Sequence, residues 1–103
     1  MSYQYETVAA GVTAQALGAV GAIGDLLHGV LIIPGTAAAG IVSIRDGGNA
    51  DINIFAGGGT TALPGLQPFF VPLDIKAVAP GTLNGWRITT GANVTAIAIG
   101  QFT

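Results

Sequence analysis

Alternation, rather than helical spacing, governs this chain. In "SYQYETVAA", Tyr3, Tyr5 and Thr7 point one way and Gln4, Glu6 and Val8 the other, the period-two pattern of a strand. "GVTAQALG" gives a second, short strand. In "LLHGVLII", Leu27, Gly29, Leu31 and Ile33 alternate with Leu26, His28, Val30 and Ile32. Both faces are apolar, as in a strand covered on both sides, and Pro34-Gly35 ends it.

"GIVSIRDGGNADINIFAGGG" is the clearest unit. Val42 and Ile44 lead into Asp46-Gly47-Gly48-Asn49, whose residues accept turn conformations, and Ile52 and Ile54 resume the alternation. This predicts a β-hairpin. Further strands follow at "FFVPLDIKAVA", "GWRITTG" and "NVTAIAIGQF", parted by Pro80-Gly81, Asn84-Gly85 and Gly91-Ala92-Asn93. Pro72 removes a ladder donor and marks its strand as an edge or a bulge. Thr13–Leu17 and Asp25–Leu31 could pass as helix fragments, but no apolar helical stripe runs for ten capped residues. The expectation is all-β: one antiparallel β-sandwich of eight or nine short strands over residues 1–103, of jelly-roll type. Residues 1–10 form an extended N-terminal arm or a strand.

The long apolar run from Val8 to Pro34, with Asp25 as its only charge, raises the question of a membrane span. Gly18, Gly21, Gly24 and Gly29 interrupt it, Asp25 and His28 sit mid-span, and Arg45 is the first Lys or Arg. A spanning helix tolerates neither feature well, so no membrane is expected. Charged residues make up 8 % of the chain, against about 25 % in ordinary soluble domains. A surface so poorly charged suits burial against copies of itself or a partner.

Candidate chemistry is sparse. There is one histidine, His28, and no cysteine; Ser2 and Ser43 are the only serines. A Ser43–His28–Asp25 triad can be written, yet Asp25 and His28, three apart on a strand, point to opposite faces. Asp46, Asn49 and Asp51 are oxygen donors near a glycine turn, but their spacing lacks the order of a calcium loop, and turn chemistry accounts for them. "GAVGAIG" and "AGGGTTALPG" lack the strand–turn–helix setting and the Lys that phosphate loops need. With Arg45, Lys76 and Arg87 scattered and a net charge of −2, nucleic acid is not an expected partner. No catalytic residue, cofactor or metal site is expected, and the chain reads as a non-enzyme.

The aromatic residues are more informative. Phe69 and Phe70 are adjacent, so one faces in and the other out. Trp86 and Phe102 fit a sandwich core. The expected interface residues are Tyr3, Tyr5, Leu27, Leu31, Phe69 and Phe70, aromatic and aliphatic anchors of the kind that hold protein interfaces together. A sandwich buries one face of each strand, so strand Leu26–Ile33 should turn outward either Leu27, Leu31 and Ile33 or Leu26, Val30 and Ile32.

The order of elements is itself familiar. An opening "ETVAAGVTAQALG" leads through "GAIGDLLHGVLIIPG", "VSIRDGG" and "FFVPLDIKA" to a closing "WRITTGANVTAIAIG". Over nearly the whole chain this resembles the small head decoration (cement) proteins of tailed bacteriophages, particularly the short β-sandwich kind of cyanophage-like genomes. The resemblance implies a structural virion protein on the outer capsid surface, a homotrimer that clamps neighbouring major capsid proteins. It transfers no functional residue by position. A different class, a glycan- or receptor-binding module of a phage fibre or spike, would be favoured by exposed Trp86 or Tyr side chains beside Asp or Asn in one loop.

Overall fold

The structure, a computed structural model, describes residues 3–17, 25–35, 39–47, 49–57, 68–78 and 85–102. Among them the alternating segments form eight strands and no helix, so none is long and apolar enough to cross a membrane. The strands are β1 (Gln4–Val8), β2 (Gln15–Ala16), β3 (Leu26–Pro34), β4 (Val42–Asp46), β5 (Ile52–Phe55), β6 (Phe69–Lys76), β7 (Trp86–Thr90) and β8 (Val94–Gln101). All pairings are antiparallel. Two four-stranded sheets result, ordered β1-β8-β3-β6 and β2-β7-β4-β5.

The sheets face each other across one core. Val8, Leu27, Val30, Ile32, Ala96 and Ala98 from the first meet Leu17, Val42, Ile44, Trp86 and Ile88 from the second. Each large side chain fully buried there stabilises by about 1.5–3 kcal/mol. The fold is therefore the all-β sandwich that the alternation predicts, with Trp86 and Phe102 in its core.

Local chemistry fixes the turns. The β4–β5 hairpin closes through the Asn49 amide donating to the Asp46 carbonyl at 3.0 Å, with Gly47 at φ 58°. At the β7–β8 turn Asn93 takes φ 62°, a left-handed conformation that Asn tolerates better than most residues. Beside it, the Gly40 and Gly91 backbones touch: a Cβ on Gly91 would lie 2.7 Å from the Gly40 Cα. The buried Thr90 hydroxyl donates to the Ala9 carbonyl at 2.6 Å and accepts from the Val12 amide at 3.0 Å. That pair of bonds ties the β1–β2 connection onto β7.

Three sequence expectations are settled here, the second of them by a correction. First, of the arm and the strand expected in residues 1–10, Gln4–Val8 is the strand: it pairs residue for residue with β8, from Gln4 opposite Gly100 to Val8 opposite Ala96, and Val8 is core. Second, the simple alternation of β3 breaks between Leu27 and Gly29, where the register shifts against both β6 and β8. His28 is the extra residue of this bulge. Consequently Leu27, Val30 and Ile32 share the inner face, and neither of the two expected outward triplets occurs. Third, β6 is both an edge strand and bulged: Leu73 and Asp74 together oppose His28, and Asp74 adopts φ 55°. Such an irregularity, with Pro72 and Lys76, discourages edge-to-edge pairing.

Candidate functional site

The feature that sets this sandwich apart is the outer face of the β1-β8-β3-β6 sheet. Residues opposite one another in a ladder share a face, so the register defines its rows. Tyr5, Ile99, Gly29 and Pro72 form one row; Thr7, Ile97, Leu31 and Phe70 form the next; Thr95 and Ile33 follow. Central strand β8 is inverted relative to habit. Its inward residues are Val94, Ala96, Ala98 and Gly100, and its outward residues include Ile97 and Ile99. Large aliphatic side chains are normally spent on the core, because burial is what they gain from. Here the alanines are inside and the isoleucines lie outside, half-buried only by one another and by their neighbours.

Gly29 belongs to this face for a steric reason. A Cβ on it would collide with the Phe70 ring and come within 2.6 Å of the Val71 carbonyl oxygen, so the ring occupies the space over the β3 backbone that a side chain would need. At the end of the face, the matched bulges of β3 and β6 bring the His28 Nδ1 against the Asp74 carboxylate. The Tyr3 ring stacks on the imidazole, centroids 4.3 Å apart and planes 13° from parallel, and Phe70 lies tilted 5.7 Å away. This cluster pins the start of β1 across the sheet.

The opposite outer face, on β2-β7-β4-β5, is polar. It carries Ser43, Arg45, Arg87 and Thr89, with Arg45 directly opposite Arg87 and Ser43 opposite Thr89. Two like charges at one register repel, and the two side chains part: Arg45 lies 3.3 Å from the Asp51 carboxylate, while Arg87 donates to the Ala14 carbonyl at 3.2 Å. One outer face is thus polar and the other apolar.

Of the six expected interface residues, Tyr3, Tyr5, Leu31 and Phe70 lie on the apolar face; Tyr5 is 75 % exposed and Phe70 40 %. Phe69 pairs with Ile32 and so points to the inner side of β6, yet it too is 40 % exposed, because β6 is an edge. Leu27 is wholly buried in the core and offers no surface; the bulge at His28 puts it there. The residues that sequence reasoning missed are Ile97 and Ile99. The strict Ala–Ile alternation of "TAIAIG" was visible, but period two cannot say which set faces in.

The candidate chemical groups do not gather. Ser43 is on the outer side of the second sheet and His28 on the outer side of the first, and the partner of His28 is Asp74, not Asp25. The Asp46 carboxylate accepts the Val78 amide at 2.8 Å and Asp51 faces Arg45, long-range and ion-pair contacts beyond the turn role expected of them. Among the described residues no three His, Cys, Asp or Glu side chains form a cluster able to hold a metal ion. The chain matches no protein-family model, no curated protein and no solved structure.

Proposed function

We propose that this chain is a structural virion protein, a capsid decoration or cement protein whose copies trimerise and clamp neighbouring major capsid proteins on the outer surface of a tailed-phage head. The observation that carries the reading is the inverted strand β8, which spends its isoleucines on an outer face. Such a face is useful when something covers it. The element order quoted above supplies the particular setting. We read the nested pairings, β1 with β8, β2 with β7, β3 with β6 and β4 with β5, as a jelly-roll wrap, an architecture recurrent in viral capsid and lectin domains.

The mechanism is cohesion. A protein bound to assembled subunits, and not to separated ones, stabilises the assembly by mass action, and many copies on one particle act together. No reacting group is required. The glycan-binding alternative loses its best stacking platform, since Trp86 is buried in the core.

Purified protein added to undecorated heads of the phage that encodes it should bind at saturating, symmetric positions. Heads so treated should resist heating or salt dilution better than bare ones. Heads that take up no protein under these conditions would overturn the proposal.

A further inference from the structure

The subunit carries a second apolar surface, unlike the first. At the side of the sandwich where β5 and β6 form the two sheet edges, inner-face residues are incompletely covered. Ile52 pairs with core residue Ile44, Phe55 with Val42, Phe69 with Ile32 and Ile75 with Leu27, so all four point between the sheets. Yet Ile52 is 52 % exposed, and Phe69 and Ile75 are exposed as well. Phe55 and Phe69 meet edge to face across this mouth, centroids 5.4 Å apart. Val78, held beside β4 by its amide bond to Asp46, is 71 % exposed.

We infer that copies of this chain join head to tail, the outer face of the β1-β8-β3-β6 sheet in one copy covering the β5–β6 side of the next. The inference rests on the reading that copies assemble with one another, and it names the surfaces that meet. Three observations favour this occupant. Two different apolar surfaces on one chain are what a heterologous contact requires, whereas an isologous pair would use a single patch twice and leave the other bare. A face of four strands, roughly 19 Å wide, offers on the order of 300–600 Å² in plan, short of the roughly 800 Å² per partner of a standard interface. Using both surfaces on every copy doubles what each subunit buries. Finally, three of the four edges discourage the competing mode, strand addition: β2 has two residues, β5 is irregular opposite Val42–Ser43, and β6 holds Pro72 and a bulge, which leaves only the short β1 as a regular edge. Repeated with a closing rotation the contact makes a ring, such as the trimer proposed above.

A mixing experiment decides it. One variant carries Ile97→Glu on the face; the other carries Ile52→Glu and Val78→Glu on the side. Tyr5→Glu replaces Ile97→Glu should circular dichroism show the latter unfolded. Mass by light scattering is expected to show wild type as a closed oligomer and each variant alone as a monomer. An equimolar mixture should give heterodimers, because one intact face then meets one intact side. A side variant that still dimerises alone would show face-to-face pairing and overturn the inference, as would a mixture that stays monomeric or a side variant with wild-type mass. Decoration of heads by the same proteins is scored separately. Occupancy without complementation would sink the head-to-tail contact and leave the virion reading standing, and complementation without occupancy would do the reverse.

Discussion

Gly100→Ala is expected to be the most damaging single-methyl change among the described residues. Gly100 lies on β8 opposite Leu27, beside the bulge of β3, and a Cβ there would drive into the Leu26 carbonyl oxygen and within 3.0 Å of the Phe102 ring. The ring could turn aside; the carbonyl is main chain, held in the β3 ladder, and cannot. Forced overpacking costs about 1–3 kcal/mol where side chains yield, and more where they do not. A loss of about 3 kcal/mol or more is therefore expected, a large part of the 5–15 kcal/mol that a domain commonly has. Gly11→Ala is the control. It has φ 73° but nothing within 4 Å, so only backbone strain applies, and it should lose about 1 kcal/mol. Denaturant midpoints compared at equal slope check both, and a Gly100→Ala midpoint at or above that of Gly11→Ala would refute the steric account.

Trp86→Ala should come next, and it bears on function as well as stability. The indole is 3 % exposed, at the start of β7 against the inner faces of both sheets. Truncating a buried aromatic to Ala typically costs about 3–5 kcal/mol. For a domain of this size each kcal/mol shifts the melting temperature by about 4–8 °C, so a fall of at least about 12 °C is expected. Scanning calorimetry measures it. Were Trp86 a ligand platform, the substitution would leave the melting temperature nearly unchanged and abolish binding instead.

Much of this fold was legible because its signals are local. The hairpin around Asp46–Asn49, the arrest of β3 at Pro34-Gly35 and the edge character given by Pro72 each follow from one or two residues with restricted backbones. The inner and outer faces of β3 were not legible. Their assignment depends on a bulge at His28, and nothing within "LLHGVLII" announces one: the irregularity arises where Asp74, from a strand 46 residues away, meets the imidazole. The apolar face was half legible. An excess of aliphatic residues over available core could be counted from β3 alone, and Leu31 and the tyrosines were assigned to it. The share of β8 was hidden, since its alanines and isoleucines are both apolar and their orientation is settled by packing across the sandwich. The open β5–β6 side left no signal in any single segment, because it is a property of two edges in different sheets.

The two-sided character of β8 bears on how the chain avoids misalignment. A one-residue slip of a strand exchanges its two faces, and in most sheets the exchange is prohibitive because polar side chains would enter the core. In β8 it would replace Ala96 and Ala98 with Ile97 and Ile99, a swap that hydrophobicity alone does not forbid. What forbids it is the absence of side chains at two points. Gly91, ahead of the strand, rests against the Gly40 backbone, and Gly100, near its end, against the Leu26 carbonyl. A slipped strand would bring Ile99 or Gln101 to the second point and Ala92 or Thr90 to the first, and neither site holds even a methyl group. Register in this strand is thus set by two glycines acting as alignment pins at its ends, and that leaves the strand free to be apolar on both faces.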